Sequence, residues 1–450
     1  MPGVQRSALL FAAGGDVFAK YGTFTRRYQI PQLGGEGMKE TFARTSAATC
    51  HGLLSPGVLG VVNAQAGASR LHYGKDPISG VLKPTWLVDQ IGATNWLLQS
   101  QALATTWTPN TLTPTNNSAA APDGSITATL LVPTAVSGAS HRVSQPVTIT
   151  ANEFVAFSVY VKTSGYNAVR IQIVDAATSL NGFVLRFDAS TGLFGTNNLV
   201  GSGSLTGAAV EALGNGWYRV LGWGSLGGGI TAAVCIIDVF DTIADANNNT
   251  AFTGNGASGV LAWGAQWERN GMVWSRPPTA YIPTTVGSAT RSGETATITW
   301  GAGPLDMTIY ASGYDMTGLV PAGTNSGLLQ LGDTAFVNPR AYFNRNANLW
   351  AFAMANDAGA ARSGNVANTT AYGDFYEAVC QYGSQGFQMF EAKNGGAFVA
   401  GTPQSGISMG SKWNQQILSL TPSFGGVYAH RAIKIISGFV TAADAQAVAV

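Results

Sequence analysis

The chain has 450 residues, more than one hydrophobic core of ordinary size organises, so two or three cores are expected. Only 10% of the residues are charged and the formal net charge is +1; with no basic run to displace phosphate counterions, nucleic acid is excluded as a partner. No stretch of about 18 apolar residues exists, which excludes a membrane-spanning helix.

The remaining composition points to a protein that is not alone. With 46% hydrophobic residues and 57 Gly, its surface must be wetted by Ser, Thr, Asn and Gln, and part of it is expected to be covered by other subunits. At the N-terminus, a single Arg6 precedes an apolar stretch shorter than a secretory core, so no leader is expected. Residues 1–90 hold many Gly, few alternating segments, and Pro56, Pro77 and Pro84. They predict an extended, partly irregular attachment arm that needs neighbours to pack against.

From Phe154 strict alternation sets in. Val155, Phe157, Val159 and Val161 share one face while Ser158, Tyr160 and Lys162 share the other, as in a half-buried strand. The same period recurs in Val169/Ile171/Ile173, in Phe183/Leu185/Phe187 and in Trp217/Arg219/Leu221/Trp223, between clusters of Gly, Asn, Asp and Ser. No helical period is sustained between Gly92 and Thr290, so the sheets have no crossover helices and must be antiparallel, a two-sheet jelly roll over residues 91–290. The turn-rich segment Ile282–Arg291 marks a boundary, and a second sandwich is expected over residues 291–450. Its strands include Met307–Ala311, Leu349–Ala353, Tyr376–Cys380 and Ile417–Leu420. Lys393-Asn-Gly-Gly396 predicts a tight hairpin turn, because Asn-Gly tolerates the positive φ such turns demand. Thr441 is placed to cap a short terminal helix. The fold class is thus all-β, two tandem antiparallel sandwiches behind an arm.

Several short motifs stand in a recognisable order. Thr41–Thr49, Arg70–Tyr73, Asp76–Gly80 and Asn95–Ser100 with Trp107 are followed by Ala121–Gly124, Phe157–Lys162, Phe187–Gly192, Gly216–Arg219, Trp263–Glu268 and Ala280–Thr285. This succession resembles the lead-in and carbohydrate-binding-like jelly roll of a class of tailed-phage virion proteins, and residues 295–450 look like a laminin-G or concanavalin-like sandwich. Two departures, Thr85–Asp89 and Cys50, fall in the arm. The resemblance implies a tail, fibre, spike or head-decoration protein, made in a host cytoplasm and resident in the virion. Its expected partners are other virion proteins, met through the arm, further copies of itself, as a homotrimer with a dimer as the second choice, and glycans of the host surface.

Catalytic chemistry finds little to stand on. The eight Glu offer no triplet of the glucanase kind, Glu268 reads as a structural acid at a strand end, and His51, His72, His141 and His430 are scattered over three regions. Cys50 beside His51 points to opposite faces of an extended segment and is not read as a dyad. Cys50, Cys235 and Cys380 suggest neither disulfides nor zinc. Asp241 and Asp245 lie in an oxygen-rich loop that suits Ca²⁺ weakly and turn chemistry better, so no cofactor is expected. Sugar rings stack on exposed aromatics, for which Trp107, Trp217, Trp223 and Trp274 are the candidates; Trp263 and Trp267 share a face with Leu261 and are assigned to the core. The enzyme alternative is a tailspike glycan depolymerase, and the ligand-free alternative is a pure capsid-decoration protein.

Overall fold

The computed structural model describes residues 26–29, 38–68, 70–77, 79–89, 91–138, 140–271, 275–300, 307–317, 325–332, 340–346, 349–355, 361–367, 370–383, 386–405, 416–419 and 427–437. Within them the chain is antiparallel β-structure, with one short α-helix at Ile243–Asn248. Four large sheets form two sandwiches.

The jelly roll opposes a six-stranded and a seven-stranded sheet. The first runs in the order Ser204–Ala212, Tyr218–Ser225, Phe154–Ser164, Gly259–Gly271, Ala128–Pro133, Leu112–Ala119. The second runs Leu193–Phe194, Gly182–Asp188, Ala168–Asp175, Ala232–Phe240, Arg142–Thr148, Thr108–Asn110, with Asn198–Val200 also beside Gly182–Asp188. The expected inner face is the observed one. Val155, Phe157, Val159 and Val161 meet Ile171, Ile173, Phe183, Leu185 and Phe187 in one buried cluster. Each fully buried aliphatic or aromatic side chain there contributes about 1.5–3 kcal/mol.

The second sandwich is built from both ends of the described chain. Its nine-stranded sheet runs Val399–Ala400, Gly386–Lys393, Phe375–Gly383, Met307–Asp315, Val427–Ser437, Leu82–Asp89, Arg70–Lys75, with Arg26–Gln29 on Val427–Ser437 and Gln404–Ser405 on Gly386–Lys393. Facing it is a seven-stranded sheet, Met38–Ala43, Thr295–Trp300, Gln416–Ser419, Asn325–Gly332, Arg340–Asn346, Leu349–Ala355, Ala361–Val366. Trp350 of the latter packs on Tyr376 and Tyr428 of the former, with ring centroids 5.4 and 6.5 Å apart.

Within residues 38–89, read as part of an irregular arm, Met38–Ala43, Arg70–Lys75 and Leu82–Asp89 are therefore strands of this sandwich, Ala48–Ser55 and Val58–Ala64 pair as a separate hairpin, and the jelly roll is inserted between the sandwich's two halves. Pro84 had argued against a strand there. It is tolerated because the ladder from Leu82–Asp89 to Val427–Ser437 covers only Trp86–Asp89, so the missing N–H at Pro84 is asked for on one side only. The predicted Asn-Gly turn is present: Asn394 and Gly395 have φ of 51° and 76°, and the Gly396 amide donates to the Lys393 carbonyl at 2.9 Å. The helix expected at Thr441 lies outside the described residues.

Candidate functional site

Two places concentrate polar side chains: the joint between the sandwiches, and the outer face of the seven-stranded jelly-roll sheet. They differ in what they leave open to a ligand.

At the joint, the hairpin Ala48–Ser55/Val58–Ala64 lies on the outer face of the six-stranded sheet. Leu59 and Val61 bury themselves against Tyr160, Trp217, Trp263 and Tyr281, and the Leu59 and Val61 amides donate to Leu213 and Pro122 carbonyls at 2.8 and 2.9 Å. The face carrying Ser158 and Tyr160, expected to meet water, is therefore covered. Below the hairpin, His51 Nε2 is 2.9 Å from the Tyr160 hydroxyl and His51 Nδ1 is 3.7 Å from Glu211 Oε2. Arg219 lies 3.4 Å from the same oxygen and donates to the Thr279 carbonyl at 2.6 Å. Tyr372, from the second sandwich, donates to Glu211 Oε1. Burial pushes His51 and His72 below the ordinary imidazole range, His72 to about 3, so both are neutral. Burial alone would raise Glu211, but the basic side chains around it and the Tyr372 hydroxyl bond outweigh that and keep it ionised. The space between these groups is about 30 Å³, room for one or two waters and not for a sugar.

Beside this cluster an ion-pair hub ties the chain crossings together. Glu294 accepts from Arg44 at 2.6 Å, from Arg70 at 2.7 Å and from the Asp89 amide at 2.7 Å, while Arg291 pairs with Asp89. The arm motifs thus turn out to be joint residues. Asp76 takes Lys83 and Arg431, Asn95 bonds the Ala265 and Ile282 carbonyls, and Ser100 bonds Tyr281 and Thr284. Glu268 is 1% exposed and accepts from Gln266 and Thr279, which is the structural role expected of it.

The opposite face of the jelly roll is different. Register aligns Asn110, Arg142, Asp238, Arg170 and Arg186 in one cross-strand row, and Thr108, Ser144, Ile236, Gln172 and Val184 in the next. Directly opposed residues point to the same side of a sheet. Asp238 accepts from Ser140 at 3.0 Å, Gln172 at 2.7 Å and Arg170 at 3.2 Å. Arg170 and Arg186 also clamp the loop at Thr196–Asn198 and the helix at Ile243–Asn248 onto the sheet, through Asn249, Asn198, Thr196 and Ala246. Arg142, Ser144 and Gln172 are half-buried, Thr108 and Asn110 are exposed, and Arg142 has no ion-pair partner among the described residues. Planar donors and hydroxyls side by side can bond sugar hydroxyls, while Ile236 and Val184 in the same rows are buried.

Of the tryptophans proposed for stacking, Trp107, Trp217 and Trp223 are not available for it. Trp107, Trp217 and Trp223 are 3%, 2% and 4% exposed, each in a core cluster. Trp107 and Trp217 donate to the Leu98 and Ala120 carbonyls, and Trp223 packs on Tyr372 at the joint. Their strand faces look solvated in sequence but are covered by distant segments. Trp274 lies outside the described residues. Trp263 and Trp267 are core as assigned, but on opposite faces: Gly264 with φ 64° sits at a register shift that turns Trp263 toward the hairpin and Trp267 toward the inner core. Trp96, not singled out in sequence, is 40% exposed under the Arg269 guanidinium at 5.0 Å. Asp245 serves the helix start, where Thr242 caps and bonds it, and the Asp241 carboxyl lies beside that of Asp245. No group of three or more metal-type donors is gathered among the described residues. Cys50, Cys235 and Cys380 are free and buried.

No family model matches the chain, and no curated protein matches it. Among solved structures, the N-terminal CBM22-1-CBM22-2 tandem domain of Xyn10C from Paenibacillus barcinonensis is similar at 14% identity, covering 76% of this chain and 97% of that one. Its TM-score of 0.24 is too low for fold or ligand to be inferred from it.

Proposed function

We propose that the chain is a structural adhesion protein without catalytic activity, whose jelly roll presents its seven-stranded sheet to a glycan while the six-stranded sheet is the mounting face. The observation that carries this reading is the asymmetry of the two sheets. One outer face is sealed under the N-terminal hairpin and the second sandwich through buried ion pairs; the other keeps a polar, register-aligned surface of Arg142, Ser144, Gln172 and Asn110 at the solvent boundary. The acids support the non-catalytic part. Glu153, Glu268, Glu294, Glu377 and Glu391 are buried and Glu211 is held by Arg219 and Tyr372, so these six glutamates offer no open pair to a glycosidic bond. The motif order resembles phage virion proteins, which makes a tail, fibre, spike or head-decoration part the setting, with virion proteins as neighbours.

The test is equilibrium binding of the pure chain to a panel of neutral and acidic host-surface glycans, with Arg142→Ala/Gln172→Ala alongside. Binding that falls about tenfold or more in the variant, with circular dichroism showing it folded, is expected, since a bond to a charged group contributes about 1.5–3 kcal/mol. Absence of binding across the panel overturns the adhesion reading. Release of sugar from a polysaccharide by the pure chain overturns the non-catalytic one.

A further inference from the structure

A sheet edge offers a row of unpaired N–H and C=O groups, and proteins blunt such edges with short strands, Pro, or charges. Among the described residues, almost every edge of the two sandwiches is blunted. The nine-stranded sheet ends on the two-residue Val399–Ala400 and on Arg70–Lys75, which carries a charge at each end. Its partner ends on Met38–Ala43, with Lys39 and Glu40, and on Ala361–Val366, with Arg362. The seven-stranded jelly-roll sheet ends on Leu193–Phe194 and on Thr108–Asn110, which contains Pro109. The six-stranded sheet ends at one side on Leu112–Ala119, with Pro114 in the strand.

The exception is its other edge, Ser204–Ala212. This strand is nine residues long, contains no Pro, Lys or Arg, and is half-buried over its first eight residues. Its single charge, Glu211, is taken by Arg219 and Tyr372. Among the described residues its backbone bonds only to Tyr218–Ser225. The strand is firmly seated, because Leu205, Ala208 and Val210 pack on the inner core and Ala209 packs beside Trp223. A register shift lies between Leu205 and Gly207, and Gly207–Ala212 beyond it is regular.

We propose that two copies of this chain pair edge to edge through this strand, antiparallel about Ala209. The sequence is self-complementary in that register. A two-fold axis perpendicular to the sheet sets Ala209 against Ala209, Ala208 against Val210 on the core side, and Gly207 against Glu211. Small side chains meet at the axis and no like charges oppose. One contact satisfies both edges, as a closed isologous interface does. The pairing extends the six-stranded sheet across two copies and leaves both seven-stranded faces clear, so two ligand surfaces ride on one rigid unit. Pairing of this kind is two-fold; a trimer needs another surface.

Light scattering of the full chain tests it, together with two variants. In Thr206→Lys/Ala212→Lys the axis places each new Lys opposite a Lys of the other copy, at positions outside the cores. Ala209→Cys places a thiol on the axis, while the native cysteines are buried. Expected are twice the chain mass for the wild type, the single-chain mass for the Lys variant with unchanged circular dichroism, and an oxidised dimer from Ala209→Cys that the wild type does not form. A monomeric wild type, a three-fold mass, or an Ala209→Cys chain that fails to cross-link overturns the proposal. If the Lys variant does not fold, the cross-linking result decides.

Discussion

Glu294→Ala probes the joint most severely. The carboxylate and both guanidiniums are fully buried, at 0% side-chain exposure. Burial acts to raise its pKa, and the Arg70 guanidinium outweighs that, so Glu294 is ionised. Removing it leaves Arg44 and Arg70 without their carboxylate and the Asp89 amide without an acceptor. Breaking a buried ion pair costs about 3–5 kcal/mol and an orphaned buried amide about 1–3. The carboxylate of Asp89 still attracts Arg70, which trims the loss. We expect about 4–6 kcal/mol, a large part of the 5–15 kcal/mol that holds a typical domain. At about 2–4 °C per kcal/mol for a unit of this size, the melting temperature falls by about 10–20 °C. Glu294→Gln keeps the shape and loses the charge, and should fall between wild type and Ala. Urea unfolding followed by tryptophan fluorescence and circular dichroism gives the free energies. A loss below about 1 kcal/mol for Glu294→Ala would refute the assignment of the hub as the clamp between the sandwiches.

Acid should weaken the fold before carboxylates titrate. His51, His72 and His430 have folded-state pKa values below the ordinary imidazole value of about 6.5, the latter two about 3, chiefly through burial. The unfolded chain therefore binds more protons below about pH 6.5, and stability is lost progressively as pH falls toward 3; equal melting temperatures at pH 7 and pH 5 would contradict this. Trp267→Ala, at 0% exposure in the inner core, should destabilise by about 3–5 kcal/mol in denaturant titrations, whereas Trp96→Ala, 40% exposed, should change stability by less than half of that. Burial raises the Cys50 thiol to about 11 and lifts Cys235 and Cys380 well above the ordinary range. A thiol reagent at pH 8 should label the native chain only at its unfolding rate, and prompt labelling would show that a thiol is open.

What was legible in the sequence was what is local. Alternation from Val155 to Val161 named the inner face, and Asn394-Gly395 named its turn, because both signals are contained in a few residues. The covered second face was not legible, since what buries Ser158 and Tyr160 is a hairpin about a hundred residues earlier in the chain. The role of Met38–Ala43 and Leu82–Asp89 was hidden for the same reason: the first pairs with Thr295–Trp300 and the second with Val427–Ser437. Trp107, Trp217 and Trp223 failed as stacking rings because sequence shows that a ring is on a strand but not what lies across from it. The row of Arg142, Asp238, Arg170 and Arg186 exists only through register, which no single segment carries.

The central claim is that the free sheet face binds glycan and the joint is structural. One titration separates the two: the tightest glycan of the panel against the wild type, Arg142→Ala/Gln172→Ala, and His51→Gln as the joint variant. The account predicts a loss of about tenfold or more for the face variant and an unchanged dissociation constant for folded His51→Gln. Loss confined to the joint variant, or a wild type that binds nothing, would contradict it.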